Sequence, residues 1–224
     1  MFNLRSATDV SKANSFSNKM RRRRFDIFKK LYDQIPKPVK IIDIGGTAQF
    51  WEQVGFAGRS DVDVVAINLA AGESGFDNIK IVKGDACNLS EFGDQEFDIA
   101  FSNSVIEHLF TFENQRRMAE EVQRVAKAYW VQTPNFWFPM EPHFHVPGWQ
   151  WMPLAMCISL IQKRRCGWRG PYTNREDAKL AVEEVRLMTR SEMKELFPKS
   201  QIWDEPFFGL VKSIVAYDGF SDPS

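Results

Sequence analysis

The side chains best suited to proton transfer in this sequence are its three histidines, His108, His143 and His145. An imidazole takes up or releases a proton near neutral pH, which suits it to general acid–base catalysis. The alternate spacing of His143 and His145 in an extended segment predicts that both rings point to the same side. Three interpretations stay open for this pair: a general base, two ligands of a metal site completed by Glu141, or ordinary loop residues. For His108 they are a catalytic group or a polar cap that orders its loop.

A second feature that could carry chemistry is the run Ile41–Thr47, in which an acidic residue and two glycines follow an apolar stretch. This pattern is typical of a buried strand and a tight turn, where Gly45 and Gly46 let the backbone pass close to a ligand. Ligands of open α/β sheets bind just beyond the carboxyl ends of the strands. The glycines do not match the GxGxxG motif of a dinucleotide site, because the third glycine is missing. That glycine lets a helix pack close to a bound pyrophosphate, so a nucleoside without phosphates does not need it.

Two further polar motifs follow predicted strands. In Gly84-Asp85-Ala86 the carboxylate could accept a hydrogen bond from an exocyclic amine such as adenine N6, and the Ala86 N–H could meet a ring nitrogen. Ser102-Asn103-Ser104 stands directly before an apolar Val-Ile pair. Polar residues at such a position are costly to bury unless they face a cleft or cap a helix. Each motif alone is as compatible with a structural role as with a binding role.

These motifs belong to an alternation of strand and helix patterns that starts after Pro38. Short apolar runs bounded by turn residues predict seven strands, over 39–44, 63–69, 79–82, 97–101, 128–132, 201–203 and 210–217. A helix is predicted to begin after Thr111, and a shorter one after Thr189, which forms a capping box with Glu192. Strands separated by helices indicate right-handed crossovers and a mostly parallel sheet.

Two segments lie outside this alternation, within what we interpret as one domain over 1–224. Residues 1–38 form a basic, helical N-terminal extension, and residues 136–180 form an insertion too long for an ordinary connection. We expect the insertion to be a lid on the acceptor side. Its part 149–169, an apolar run followed by basic residues, is predicted to be an internal lid helix, with an interfacial helix beside anionic lipid as the alternative.

The charges balance overall, with 29 Lys plus Arg against 29 Asp plus Glu, yet they are unevenly placed. Residues 1–40 hold eleven basic and three acidic residues, and Arg21–Arg24 stand in a helix predicted over 15–34 with Phe25, Phe28 and Leu31 inward. This run is either a solvated helix face or a patch for an anionic partner.

Zero net charge argues against a nucleic-acid partner. Without an apolar leader or spanning stretch, a cytoplasmic location is expected.

In their order and spacing, the motifs resemble class I S-adenosylmethionine-dependent methyltransferases of the type 11 kind. The likeness runs from Val39 to Tyr217 and includes the GGT, GDA and FDIAFSNSVIEHL segments. RRRRFDIF, FWEQ, QRRMAEEVQRV, VQTPNFWFPMEPHFHVP and GLVKSIVAY are also similar to a bacterial subfamily associated with glycan and cell-envelope biosynthesis. The resemblance implies an α/β fold: a Rossmann-like, seven-stranded, mostly parallel sheet with one antiparallel edge strand and helices on both faces.

The resemblance further implies S-adenosylmethionine as the cofactor, held by residues that follow the first four strands. These are Asp43, Gly45, Gly46, Asn68, Leu69, Asp85, Ala86, Ser102, Asn103 and Ser104. Asn68 stands where the family usually has an acid that binds the ribose hydroxyls, and an amide can still bond both. Such enzymes build the acceptor pocket after the fifth strand, which favours His143 as the base, followed by His145 and His108. No metal is required, and we expect none.

We therefore expect a methyltransferase that acts by in-line displacement on a hydroxyl of a small-molecule, glycan or lipid-linked acceptor. One alternative is a nucleotide-dependent oxidoreductase, which the missing GxGxxG disfavours. Another is a non-catalytic binding protein on the same fold, which Asn68 leaves open. No nucleic-acid partner is expected, and peripheral contact with an anionic membrane at its inner face stays open.

Overall fold

The structure, a computed structural model, describes residues 16–220, with side chains from Met20 onwards. Its strands are β1 (Val39–Ile44), β2 (Val62–Asn68), β3 (Ile79–Lys83), β4 (Phe97–Asn103), β5 (Ala126–Pro134), β6 (Gln201–Phe207) and β7 (Leu210–Asp218). Its α-helices are α1 (Phe16–Tyr32), α2 (Ala48–Gln53), α3 (Phe112–Val125), α4 (Leu154–Lys163), α5 (Arg175–Glu183) and α6 (Arg190–Leu196). Short 3-10 turns occupy Ile106–His108 and Trp149–Trp151.

The seven strands form one sheet in the order β3-β2-β1-β4-β5-β7-β6. Neighbouring strands are parallel except for β7, which runs antiparallel to β5 and β6 and lies between them at one end of the sheet. The predicted α/β fold is confirmed. In the register, Ile44 at the end of β1 is level with Ile67 of β2 and Ser102 of β4. The turns after these strands therefore open at one common edge.

Both faces of the sheet are covered by apolar side chains. One face packs against α3 and α6 through residues such as Met118, Val122 and Met193. The other face packs against α1 and α2, where Phe28 meets Phe101 at a ring-centroid distance of 4.8 Å. The predicted inward positions of α1, Phe25, Phe28 and Leu31, are all buried. Helix α1 is thus part of the core, and its position relative to the strand ends is fixed.

The predicted helix starts are confirmed. The Thr111 hydroxyl accepts a hydrogen bond from the Asn114 N–H at 3.1 Å and caps α3. Thr189 and Glu192 form the reciprocal capping box of α6. Strand β6 is longer than predicted, because it continues through Pro206 to Phe207. An edge strand tolerates a proline where the pairing is already irregular, and the register shifts between Glu205 and Pro206.

The insertion, residues 136–180, folds against the following α5 and has an apolar cluster of its own. Phe144 stacks on Trp149 with ring centroids 4.1 Å apart, and Cys157, Ile158 and Ile161 of α4 are buried beside them. Helix α4 covers only Leu154–Lys163 of the stretch 149–169 that was predicted to be an internal lid helix. Some apolar side chains of this stretch are exposed, and its role as a lid stays a prediction. Within residues 16–220, no helix is long and apolar enough to cross a membrane.

Candidate functional site

The turn after β1 is built around a buried carboxylate. Asp43 is almost completely buried, and its Oδ2 accepts a hydrogen bond from the Trp51 indole N–H at 2.6 Å. Burial raises the pKa of Asp43 to about 7, although the bond from Trp51 acts in the opposite direction. A Cβ at Gly46 would lie 1.5 Å from Asp43 Oδ2, so this position admits only glycine. The Gly46 backbone therefore packs directly against the Asp43 carboxylate, with no side chain between them.

Asn68, at the end of β2, holds the same turn. Its side-chain Nδ2 donates a hydrogen bond to the Gly46 carbonyl at 2.6 Å. The Asn68 amide was predicted to bond two ribose hydroxyls, but one of its N–H donors is already bound to the protein. Its Oδ1 is the atom that can accept a hydrogen bond from a ligand. The next residue, Leu69, is 84% exposed and stands at the rim of this edge.

The turn after β3 begins with Gly84, whose N–H donates to the Asn68 carbonyl at 2.8 Å. Asp85 is exposed, and its Oδ1 accepts a hydrogen bond from the Cys87 N–H at 2.9 Å. This local bond fixes the orientation of the carboxylate and leaves its second oxygen for an outside donor. Asp85 and the half-buried Ala86 thus have the chemistry predicted for holding an adenine ring.

The end of β4 is more buried and more constrained. Ser102 is fully buried, and its hydroxyl points to the Ile44 carbonyl at 3.4 Å. Ser104 has a positive φ of 61° and donates through its hydroxyl to Gln132 Oε1 at 2.9 Å. Asn103 Oδ1 accepts a hydrogen bond from the Arg24 guanidinium at 2.9 Å. An arginine from the N-terminal helix therefore reaches the strand edge.

The ten predicted cofactor residues lie at the carboxyl ends of β1, β2 and β4 and in the turns after β1, β2, β3 and β4, at one edge of the sheet. Their chemistry fits S-adenosylmethionine. The Gly45–Gly46 turn has no side chains, and its backbone packs directly on Asp43, since a Cβ at Gly46 would overlap that carboxylate. Asn68 Oδ1 offers an acceptor for hydroxyl groups, and Asp85 offers one for an amine. These three turns would hold the ribose and adenine parts of the cofactor.

A carboxylate–histidine pair lies in the segment after β5. Glu141 is buried, and its Oε1 is 2.6 Å from His143 Nδ1. Its other oxygen accepts hydrogen bonds from the N–H groups of His143 and Phe144 at 2.6 Å each. Because Nδ1 is bound to Glu141, the His143 Nε2 is the ring atom that can exchange a proton. Burial lowers the pKa of His143, but the bond and charge of Glu141 outweigh it and raise the pKa overall.

The Glu107–His108 pair of the 3-10 turn faces the same place. The His108 and His143 rings meet edge to face, with centroids 4.7 Å apart. Glu107 is fully buried; its Oε2 accepts from the Thr133 hydroxyl at 3.1 Å, whereas its Oε1 has no hydrogen-bond partner. Burial raises the pKa of Glu107 to about 7 and lowers that of His108 to about 4. Glu107 was not among the predicted site residues, although its place between an apolar pair and a histidine is a signal that could have identified it.

Ligand atoms of Glu107, His108 and His143 all lie within 4.8 Å of one another. Two histidines and one carboxylate are a common ligand set for divalent transition metals. The set that was considered in the sequence, Glu141 with His143 and His145, is not the one that the fold brings together. These three are therefore the residues that could hold a metal ion.

The prediction that His143 and His145 point the same way is wrong. It assumed an extended segment, but residues 142–144 form a turn in which the His145 N–H donates to the Glu141 carbonyl at 3.0 Å. His145 has a positive φ of 52°, and its ring lies against Trp168 with centroids 5.6 Å apart. His143 and His108 thus face each other, whereas His145 contacts Trp168 within the insertion.

A cavity of about 370 Å³ lies behind Glu141, between the insertion and the segment that leads to α6. Its walls are mainly apolar, with the polar groups of Glu141, Gln150 and Arg186 among them. None of the ten predicted cofactor residues lines it. The cavity therefore lies on the side of the site away from β2 and β3.

Comparison with known proteins agrees with this geometry. Residues 45–128 match the family described as a methyltransferase domain. The Mycobacterium tuberculosis protein Rv1509 is 37% identical over 62 residues, which is 27% of this chain and 21% of that protein. The matched part thus spans about a fifth of the length of that relative.

Among solved structures, a SAM-dependent methyltransferase from Aquifex aeolicus aligns with a TM-score of 0.50 at 14% identity, covering 86% of this chain and 87% of that one. A SAM-dependent methyltransferase from Methanosarcina mazei aligns with a TM-score of 0.51 at 15% identity, covering 86% and 98%. The fold of this chain is therefore the one found in SAM-dependent methyltransferases, the enzymes whose cofactor is S-adenosylmethionine.

Proposed function

We propose that this chain, with its methyltransferase-domain match and fold, is an S-adenosylmethionine-dependent methyltransferase acting on a hydroxyl of a small-molecule, glycan or lipid-linked acceptor. The observation that carries the proposal is the glycine turn over buried Asp43, on the same edge as Asp85 and Asn103. Contact with the Asp43 carboxylate excludes a side chain at Gly46, and a turn without side chains lets a ligand approach its backbone. Its residues bind a nucleoside without needing to bind phosphate.

When bound, the cofactor supplies an electrophilic methyl group on its sulfonium. The protein has to orient the acceptor in line with that group and remove the hydroxyl proton as the new O–C bond forms. Asn103 and Ser104 lie at the end of β4, between the cofactor turns and the histidines. They would position the amino-acid end of the cofactor on the side that faces the acceptor.

His143 is the proposed general base. Its Nδ1 is held by Glu141, so its Nε2 is presented toward Glu107 and His108, where it can accept the hydroxyl proton. The negative charge of Glu141 stabilises the resulting imidazolium, in the way a carboxylate orients histidine in other acid–base sites. His108, whose pKa is lowered to about 4, stays neutral and helps to shape the pocket.

Calorimetric titration with S-adenosylhomocysteine tests the cofactor part of the proposal. Saturable binding of this product, with S-adenosylmethionine binding at comparable affinity, is the expected result. Absence of binding by both compounds at millimolar concentration, in a protein shown to be folded, would contradict the proposal. The same titration with a nicotinamide dinucleotide should show no comparable binding.

His143→Ala tests the base, with His145→Ala as the matched control because it removes the same side chain two residues away. We expect His143→Ala to keep cofactor affinity and lower turnover by about two orders of magnitude or more. His145→Ala should change turnover far less. The acceptor for this assay is found by screening glycan and lipid-linked alcohols with labelled cofactor. Equal turnover in the two variants would remove His143 from the mechanism.

Metal-assisted deprotonation is a second candidate, which the cluster of Glu107, His108 and His143 favours. A divalent ion there would lower the pKa of a bound hydroxyl. Turnover after exhaustive chelation distinguishes the two mechanisms. The proton-transfer proposal expects unchanged turnover, whereas loss of turnover that zinc or manganese restores would replace it.

Peripheral contact with an anionic membrane is proposed from exposed apolar side chains of the insertion. Trp151, Leu154 and Met156 are each more than two-fifths exposed. Basic residues 163–165 lie at the end of α4 and directly after it. Such a combination suits a lipid surface. Co-sedimentation with phosphatidylglycerol vesicles at low salt tests it, and Trp151→Ser should weaken pelleting. Equal recovery with and without vesicles would contradict the proposal.

A further inference from the structure

The cavity behind Glu141 is bounded by the insertion on one side and by α5 and the segment that follows it on the other. Phe144, Trp149 and Cys157 of the insertion line it and are buried, and the rings of Phe144 and Trp149 stack on each other. Leu154 is 42% exposed, whereas the other wall residues are buried or half-buried. The cavity therefore opens to the surface at the beginning of α4.

The size and the walls of this cavity suit a small organic group. Its volume of about 370 Å³ lies within the range of about 300–1,000 Å³ that is typical of small-molecule sites. Such sites have mainly apolar walls and a few polar atoms that fix the orientation of the ligand. The polar atoms of the wall therefore determine which ligand can bind.

The charged groups of the wall are paired within the protein. Both oxygens of Glu141 are bound, one by the His143 ring and the other by two backbone N–H groups. The Arg186 guanidinium donates hydrogen bonds to the side chains of Gln115 and Glu192. Because a charge is costly to bury without a partner, a neutral ligand suits this cavity better than a charged one.

Gln150 contributes a polar wall atom that is not paired. Its Nε2 donates to the carbonyls of Phe136 and Phe138 at 2.9 and 2.7 Å, which uses both of its N–H groups. These bonds also fix the orientation of the amide, because a flipped amide would place Oε1 against two carbonyl oxygens. Oε1 is buried and has no hydrogen-bond partner among residues 20–220. A ligand with a hydroxyl or amide N–H group would satisfy it.

The cavity adjoins the proposed general base through two of its walls. Glu141 lies in one wall and holds His143 Nδ1 at 2.6 Å. Arg186 lies in the other wall, and its backbone N–H donates to the Glu107 carbonyl at 2.7 Å. A molecule in the cavity is therefore next to the residues that are proposed to act on the acceptor hydroxyl.

We propose that this cavity binds an apolar, uncharged part of the acceptor that carries one hydrogen-bond donor for Gln150 Oε1. This inference rests on the proposed function, whose acceptor it assigns to a chemical class, the alcohols with an apolar body and a second donor group. Binding of the apolar body holds the acceptor hydroxyl on the His143 side of the site. Leu154 at the mouth of the cavity is the point of entry.

The test uses indole as the probe, because indole is an apolar ring system with a single N–H donor. 1-Benzofuran is the matched probe, since it has the same shape without the donor. Calorimetry on the full chain should show saturable binding of indole. 1-Benzofuran should bind about three- to tenfold more weakly, because it lacks one hydrogen bond. Equal or tighter binding of 1-benzofuran would overturn the role of Gln150, and absence of binding by both probes would overturn the site.

Val182→Phe tests whether indole binds in this cavity, and Leu180→Phe is the control. Val182 lines the cavity, whereas Leu180 is 57% exposed on the same helix. The added ring fills part of the cavity, so indole affinity should fall by about tenfold or more in Val182→Phe and stay unchanged in Leu180→Phe.

A second variant, Leu154→Asp, keeps the test decisive if Val182→Phe does not fold. Leu154 is exposed at the first turn of α4, where an acidic residue is favourable for the helix. Its carboxylate should weaken indole binding at the mouth of the cavity. Melting curves identify the variants that are folded. Indole affinity in these folded variants equal to that of Leu180→Phe would overturn the site.

The assignment to the acceptor is tested in turnover assays with the acceptor that screening finds. Indole should compete with this acceptor and not with S-adenosylmethionine. Val182→Phe should raise the KM for the acceptor and leave the KM for the cofactor unchanged. Absence of competition between indole and the acceptor would overturn the assignment.

Failure of the proposed function is seen separately, because none of the predicted cofactor residues lines the cavity. If S-adenosylhomocysteine does not bind, the methyltransferase proposal falls, and indole binding that depends on Val182 would still support the cavity as a binding site. If S-adenosylhomocysteine binds and indole does not, the cavity proposal alone is overturned.

Discussion

The proposed cofactor side and the proposed acceptor side of the candidate site are built on different principles. On the cofactor side, the turns after β1, β2 and β3 contribute short local motifs, and a single buried carboxylate, Asp43, is held by one indole. On the proposed acceptor side, Glu107 and Glu141 are buried and come from segments far apart in the chain. The first side depends on close backbone approach, and the second on coupled charges.

This difference indicates which changes each side tolerates. A backbone cradle fails when a side chain is added to it, because its atoms have no room to move. A cluster of coupled charges keeps its shape when one group is exchanged for an isostere, but its pKa values and proton affinities shift. Substitutions that add volume should therefore affect the cofactor side most, and substitutions that remove charge should affect the acceptor side most.

The largest effect on cofactor affinity is expected for Gly46→Ala. The new Cβ would lie 1.5 Å from Asp43 Oδ2, and the turn would have to move because Trp51 holds that carboxylate. Overpacking of this kind costs about 1–3 kcal/mol, so affinity for S-adenosylhomocysteine should fall by up to about a hundredfold. Gly72→Ala is the control, since its Cβ would meet Ile81 Cγ2 at 3.6 Å. Similar calorimetric affinities in the two variants would contradict the backbone cradle.

Glu141→Gln should have the next largest effect, on the acceptor side. Turnover is expected to fall by about tenfold or more, because the amide no longer stabilises the imidazolium. Only the neutral imidazole accepts a proton, so the rate rises with pH through the pKa of His143. Glu141 raises that pKa. The acidic limb of the pH–rate profile should therefore move to lower pH in Glu141→Gln.

The control for this profile is Glu176→Gln, which alters an exposed residue in α5. It should leave both the turnover and the acidic limb where they are in the unaltered protein. An acidic limb that stays in place in Glu141→Gln would mean that the titrating group is another one.

The smallest effect is expected for Asn68→Ala. The substitution removes the hydrogen bond to the Gly46 carbonyl, which contributes about 0.5–1.5 kcal/mol. Affinity for S-adenosylhomocysteine should fall by about two- to tenfold. Turnover at saturating cofactor should not change, since Asn68 is remote from the histidines in the fold. A fall in turnover without a change in affinity would assign Asn68 to the acceptor side instead.

Much of the fold could be predicted from the sequence. Strand positions followed from apolar runs, and the starts of α3 and α6 followed from Thr111 and the Thr189–Glu192 box. These signals are local, because burial of a strand and capping of a helix end involve neighbouring residues. The extension of β6 through Pro206 could not be predicted, since tolerance of a proline depends on the pairing partner.

The candidate site divides in the same way. Its cofactor residues were found by the motifs that follow the strands, and their role stays a prediction. The mutual position of His108 and His143 was not predictable, because it depends on the turn over 142–144. The orientation expected for His145 was wrong for the same reason. The run Arg21–Arg24 was interpreted as a whole, either as a solvated helix face or as a patch for an anionic partner. The spacing of Arg24 from Phe28 could have set it apart from Arg22 and Arg23, but its partners Asn103 and Glu205 could not be predicted.

By itself, the sequence determined the order of apolar and polar segments along the chain. It also determined the glycine turn, and the balance of a basic N-terminal region against an acidic remainder. Only the tertiary structure decided that one arginine of the run is buried against Asn103 and Glu205, and that His143 rests on Glu141. The physical reason is the range of the interactions. Hydrophobic periodicity and backbone geometry act between near neighbours, whereas the burial that shifts these pKa values, and the charges that act on them, exist only after folding has brought distant segments together.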